Sequence, residues 1–163
     1  MSSFFKSLLN GEVNLSIASL PLTLLLPALA HWYSIGIAEK NKVQGGWTNQ
    51  NPRAFVARLN AKAAMGKKLS DMEELVLRGQ AAQQNGFEWW AIWAAAVVLG
   101  YLAKLPKEEM DRYTLVHVVA RMIYYYLYLS MATRRRSYWR TLVFQITIFP
   151  AIAIFTRAAR ILV

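Results

Sequence analysis

Cysteine is absent from the 163 residues. That excludes a disulfide framework, a cysteine-ligated metal or iron–sulfur cluster and a protein thiol nucleophile, so any thiol chemistry has to come from a bound cofactor. Charge is also scarce, at 17% of residues, and acidic charge scarcest: nine Asp and Glu stand against nineteen Lys and Arg, a formal net charge of +10. Histidine is nearly missing. His117 has no second His or carboxylate at ligand spacing, so a hydrogen-bonded packing role is expected of it, and no metal site. What fills the chain instead is apolar and aromatic, 56% of it, with a mean hydropathy above zero. Disorder is thereby excluded. A basic excess raises nucleic acid or an anionic membrane as a partner, and the hydropathy favours the membrane.

Four long apolar stretches lie at about residues 13–38, 75–103, 113–132 and 141–163. Each approaches or exceeds the roughly 20 residues a bilayer-crossing helix needs. The first is too long, and too weakly basic at its front, for a cleavable signal peptide. Pro21 and Pro27 inside it, and Pro150 inside the fourth, are expected to bend their helices, which neighbouring helices accommodate in lipid. Between the first two stretches, Asn51 and Pro52 read as an N-cap with Pro at the first helical position. Phe55, Val56, Leu59 and Ala63 then share one face, which predicts a short helix over about 52–65 lying on the membrane surface. Ser70 with Glu73 three residues on is a capping box, starting the second long helix near Asp71.

Short links at 104–112 and 133–140 make neighbours antiparallel. The expected fold is an all-α membrane protein, a single-domain, up-and-down bundle of four transmembrane helices. Lys and Arg crowd the connection from Lys40 to Lys68 and the link from Arg134 to Arg140, which puts both on the cytosolic side and both termini on the other. Topology then explains the basic excess, and nucleic acid drops out as a partner. Arg157 and Arg160 are expected to snorkel to the opposite interface.

Ionisable side chains inside a span cost about 3 kcal/mol each and tend to face other helices. Arg78, Ala81, Asn85 and Glu88 follow spacings of three and four along the second helix; His117, Arg121, Tyr125 and Tyr128 do so along the third. A Glu88–Arg121 ion pair between facing helices would neutralise both. Of the run Tyr124, Tyr125 and Tyr126, one or two at most can face a site, since successive helical positions point about 100° apart. Arg134, Arg135 and Arg136 are expected to close the third helix, where topology and the helix dipole account for two of them.

The order Arg78, Asn85, Glu88, then Arg121, Tyr128 and Arg136-Ser137, with Trp139 beside them and Asn51-Pro52 before a surface helix, resembles the MAPEG family, the membrane-associated proteins in eicosanoid and glutathione metabolism, in its bacterial and fungal form. The resemblance implies a homotrimer, with glutathione between the second helix of one subunit and the third of a neighbour near the cytosolic face. It implies Asn85 and Glu88 on the tripeptide's polar ends, Arg121 and Tyr128 on its carboxylates and backbone, and Arg78 and Gln84 completing the cofactor-binding set. Arg136 is implied beside the sulfur, so that Arg136, Tyr128 and Glu88 form the catalytic set. The second substrate implied is a lipophilic electrophile arriving from the membrane, such as an unsaturated carbonyl or a lipid hydroperoxide. In a eukaryote the location implied is the endoplasmic reticulum or another internal membrane.

Two other readings keep the fold. A glutathione-independent isomerase or cyclase of a lipophilic intermediate would use Glu88, Arg121 and a Tyr as acid–base groups, with Trp89, Trp90 and Trp93 walling an apolar cavity. A non-catalytic lipid-binding protein would use the same polar face only to lock the assembly.

Overall fold

The computed structural model describes residues 7 and 10–162, residues 134–136 by their backbone alone. Among the described residues there are five α-helices and no strand: α1 Leu15–Lys40, α2 Pro52–Ala64, α3 Asp71–Leu102, α4 Lys107–Ser130 and α5 Arg134–Ile161, with a 3-10 turn at Val43–Gly45.

Helix starts follow the local chemistry. Asn14 caps α1 by accepting from the Ile17 amide, and Asn51 caps α2 by accepting from Ala54, with Pro52 at its first position. Ser70 and Glu73 form the full reciprocal box that opens α3. One boundary differs from expectation. Residues 134–140 belong to α5, so the last link shrinks to residues 131–133 and the three arginines open a helix instead of closing one.

α1 is turned inside out relative to a water-soluble helix. Ser16, Ser19, Thr23, Pro27, Ala30, Ser34 and Ala38 form its buried stripe, while Leu22, Leu25, Leu29 and Trp32 point outward. Small residues inside let backbones approach, and large apolar ones outside suit lipid. The partner surface on α3 matches: a Cβ on Gly79 would stand 2.6 Å from Ser34 Cβ, and one on Gly86 would collide with the Tyr125 hydroxyl and stand 2.6 Å from Pro27 Cβ. α1 and residues 137–161 of α5 are long and apolar enough to cross a membrane, and only 28% of the most apolar stretch of each is buried within the protein. α3 and α4 have the length but not that apolarity. Trp93 and Ile154 centre one core cluster at the end where α3 meets α4, and Phe55, Leu59 and Val76 another at the end where α2 docks.

That second cluster corrects the reading of α2. Much of its apolar face is spent on the bundle: Phe55 and Leu59 are fully buried, with the Trp47 ring tilted against that of Phe55 at 5.0 Å. Protein covers the middle of the stripe that lipid was expected to cover, leaving Val56 half-buried and Ala63 exposed. Arg157 also finds a protein partner, Glu109, at 2.6 Å, instead of only reaching for the interface.

Candidate functional site

At the end of the bundle where α2 docks, α2, α3 and α4 and the start of α5 surround an open groove of about 1040 Å3. Arg53 comes from α2, Arg78 and Gln84 from α3, Tyr128 from α4, Arg140 from α5, and His31 with Trp47 close the α1 side. Among the described residues three guanidiniums line it and no carboxylate does. Such a lining selects an anion. Arg78 is held from behind by Glu74 at 3.5 Å, and its Nε is buried without a hydrogen-bond partner among the described residues.

The tyrosines are locked by their neighbours. Asn85 Nδ2 donates to the Tyr128 hydroxyl at 3.0 Å and to the Tyr124 hydroxyl at 3.3 Å. Each phenol oxygen therefore accepts, which leaves its own proton to give to something else. The Arg140 guanidinium lies 4.0 Å above the Tyr128 ring, and that of Arg121 lies 4.8 Å from the Tyr124 ring and 5.2 Å from that of Tyr125. Stacked cations of this kind fix ring orientation as well as adding attraction.

The residues singled out in the sequence thus divide. Arg78, Gln84 and Tyr128 line the groove, and Asn85 stands directly behind it. Glu88 is exposed one turn further along α3, where it accepts from Gln84 Nε2 at 2.9 Å. Arg121 is 3% exposed inside the bundle, its Nη2 donating to the Tyr125 hydroxyl at 3.2 Å and its Nη1 without a hydrogen-bond partner among the described residues. The expected Glu88–Arg121 ion pair is not among the salt bridges of the described residues. The reason is angular. Gly86 is the α3 position pressed against Tyr125, and Glu88, two residues on, points about 200° away from it. The side chain of Arg136 lies outside the described residues.

His117 has the packing role expected of it: its Nδ1 pairs with the Thr147 carbonyl at 3.2 Å and its ring stacks on Trp93 at 3.9 Å. Of the tyrosine run, Tyr124 and Tyr125 are buried and Tyr126 is 70% exposed. Trp93 is wholly buried and Trp90 donates to the Leu20 carbonyl, so these two indoles serve helix packing.

The sequence reading assigned no site role to Arg140, Arg53, His31 and Trp47, and left open which of the run Tyr124, Tyr125 and Tyr126 would face a site. Tyr124 had a signal, lying four residues before Tyr128 and three after Arg121. Arg140 had one only for a reader who continued the last helix back through residues 134–140.

A profile of the MAPEG family matches residues 17–160, nearly the whole chain. The chain belongs to the MAPEG family. No curated protein and no solved structure matches it significantly. As a MAPEG protein it is membrane-associated, in keeping with its two apolar helices, and its family includes glutathione transferases and members of other kinds.

Proposed function

We propose that this MAPEG protein is a membrane-bound enzyme of glutathione transferase or peroxidase type, assembled as a homotrimer of four-span subunits and acting on a lipophilic electrophile. The observation that carries the reading is the groove itself: three guanidiniums, from α2, α3 and α5, and no opposing carboxylate among the described residues. A tripeptide with two carboxylates suits that lining. Arg53, Arg78 and Arg140 are the groups to hold those carboxylates, and Gln84 the neutral donor at the edge. The buried, unpartnered Nε of Arg78 is a donor in want of an acceptor.

When bound, glutathione supplies the thiol that the protein lacks, with a free pKa of about 8.5. A guanidinium beside such a thiol favours its ionised form, the attacking species, and Arg136 is the residue assigned to that position. Tyr128, whose oxygen accepts from Asn85, keeps a proton to donate to the ligand's anionic atom. Glu88, exposed on the outer face of α3, is assigned to the ligand's amino group across a subunit boundary, since a carboxylate at that depth is costly against lipid. The multi-pass placement, with the groove on the cytosolic side, follows from the basic residues gathered at that end. The endoplasmic reticulum or another internal membrane is the site of action if the source is eukaryotic.

The test is conjugation of glutathione to a reactive aryl halide by detergent-solubilised protein, together with calorimetric titration of glutathione. Binding and turnover are expected, with Arg136→Ala slowing turnover by about tenfold or more. Neither binding nor turnover above background would reject the reading. The burial of Arg121 against Tyr124 and Tyr125 favours, as a second reading, a glutathione-independent isomerase or cyclase with these groups as its acid–base set. Turnover of a lipophilic substrate in the absence of glutathione would establish it.

A further inference from the structure

At the end of the bundle away from the groove, the start of α1, the last turn of α3 and the first turn of α4 enclose a second cavity, of about 490 Å3. Among the described residues its charges balance: Glu12 and Asp111 against Lys104 and Lys107. Lys107 Nζ donates to Asp111 Oδ2 at 2.6 Å, while Asp111 Oδ1 is buried with no hydrogen-bond partner among the described residues. A buried carboxylate oxygen left without a donor is unfavourable until a ligand or water supplies one. The opening lies level with the first turn of the apolar helix α1, and Ile17 and Tyr101, which also line the cavity, are 50% and 66% exposed. An aliphatic and a tyrosine side chain left open at a helix end suit the boundary between head groups and acyl chains.

We propose that this cavity binds the head group of an aminophospholipid, with the primary ammonium donating to the Asp111 carboxylate and the phosphate held by Lys104 and Lys107. The balanced charges call for a ligand carrying both signs and no net charge, unlike the groove, whose lining is cationic. Choline lipids carry both signs, but their quaternary nitrogen has no N–H to give to Asp111. Glycerol lipids have hydroxyl donors but no cation, and would set a net negative charge beside Asp111 and Glu12. The short span from Lys104 to Asp111, with Pro106 between, places both cations and the Asp111 side chain around one opening.

Native mass spectrometry of the full chain, released from mixed micelles holding equal amounts of phosphatidylethanolamine, phosphatidylcholine and phosphatidylglycerol with identical acyl chains, reads the preference. Retention of the ethanolamine lipid is expected to exceed that of each of the others by about fivefold, the worth of one charge-assisted hydrogen bond at a partly wet site. Asp111→Asn and, separately, Lys104→Gln are expected to erase that preference while leaving the thermal midpoint of the lipid-free protein within a few degrees. Equal retention of the three lipids, as for a cavity that holds only water, overturns the proposal. So does a preference that survives both substitutions. Displacement of the lipid by an equimolar amount of free phosphoethanolamine would assign the head-group chemistry to a soluble zwitterion and overturn the lipid as its source.

Discussion

Glu73 and Arg121 are both charged and both nearly sealed, at 5% and 3% exposure, yet their surroundings are opposite. Glu73 is saturated: Lys62 Nζ reaches both its oxygens at 2.7 and 2.8 Å, Gln44 Nε2 donates at 2.7 Å and the Ser70 amide at 2.8 Å. Those donors, Lys62 first, hold its carboxyl down to about 2 from an ordinary value of 4.5. Arg121 has one phenol oxygen, two ring faces and an Nη1 without a hydrogen-bond partner among the described residues. A saturated charge ties elements together, here α2 and the 3-10 turn to the start of α3. An unsaturated one leaves binding capacity in reserve, as buried polar groups seldom stay unpaired without a use.

The largest effect is expected at Glu73. Glu73→Ala should destabilise the solubilised protein by about 3 kcal/mol, the equivalent of the shift in its carboxyl, as read by thermal unfolding. The sign in pH follows from that depressed value. The contribution is complete above about 4.5, where the unfolded carboxyl is also ionised, and is lost as pH falls toward about 2. Glu73→Gln should flatten that part of the stability profile. An unchanged profile would mean that the pair does not exist in solution.

Gly86→Ala should cost about 2 kcal/mol, because the new methyl meets Pro27 and the Tyr125 hydroxyl and one of them has to shift. It sharpens the comparison by pushing away the one phenol that Arg121 holds. Asn85→Leu should cost about 1 kcal/mol and slow turnover as well, since it frees the Tyr128 phenol at the groove and the buried Tyr124 phenol. The smallest stability effect is the most telling. Arg121→Met should shift stability by less than about 1 kcal/mol, since a poorly satisfied buried cation gains little over an apolar side chain of similar length. Turnover should fall by about tenfold or more. A large stability loss in Arg121→Met would break the contrast and make Arg121 a structural group like Glu73.

Much of the fold was legible from spacing alone. The Asn51-Pro52 and Ser70–Glu73 signals act within one turn of chain, and they place the starts of α2 and α3 where the structure has them. The start of α5 was not legible, because a run of arginines opposes the helix dipole at an N-terminus and reads as a link. The site was legible in part for the same reason of range. Asn85, Tyr128, Arg78 and Gln84 share helix faces with regular spacing, and the structure brings them to one groove. Arg53, His31 and Trp47 join it from α2, α1 and a loop, and no periodicity within one helix could announce them.

The amino-acid order by itself determined the class of chain: the helices, their apolar lengths, the caps and the gathering of cations at one end, all set by interactions a few residues long. Which faces meet was decided only in three dimensions. Gly79 and Gly86 let α1 and Tyr125 press onto α3, and that contact turns Glu88 outward and leaves Arg121 inside with aromatic rings in place of a carboxylate. A helix repeats every 3.6 residues whatever its surroundings, but its rotation about its own axis is set by the neighbour that packs most closely against it.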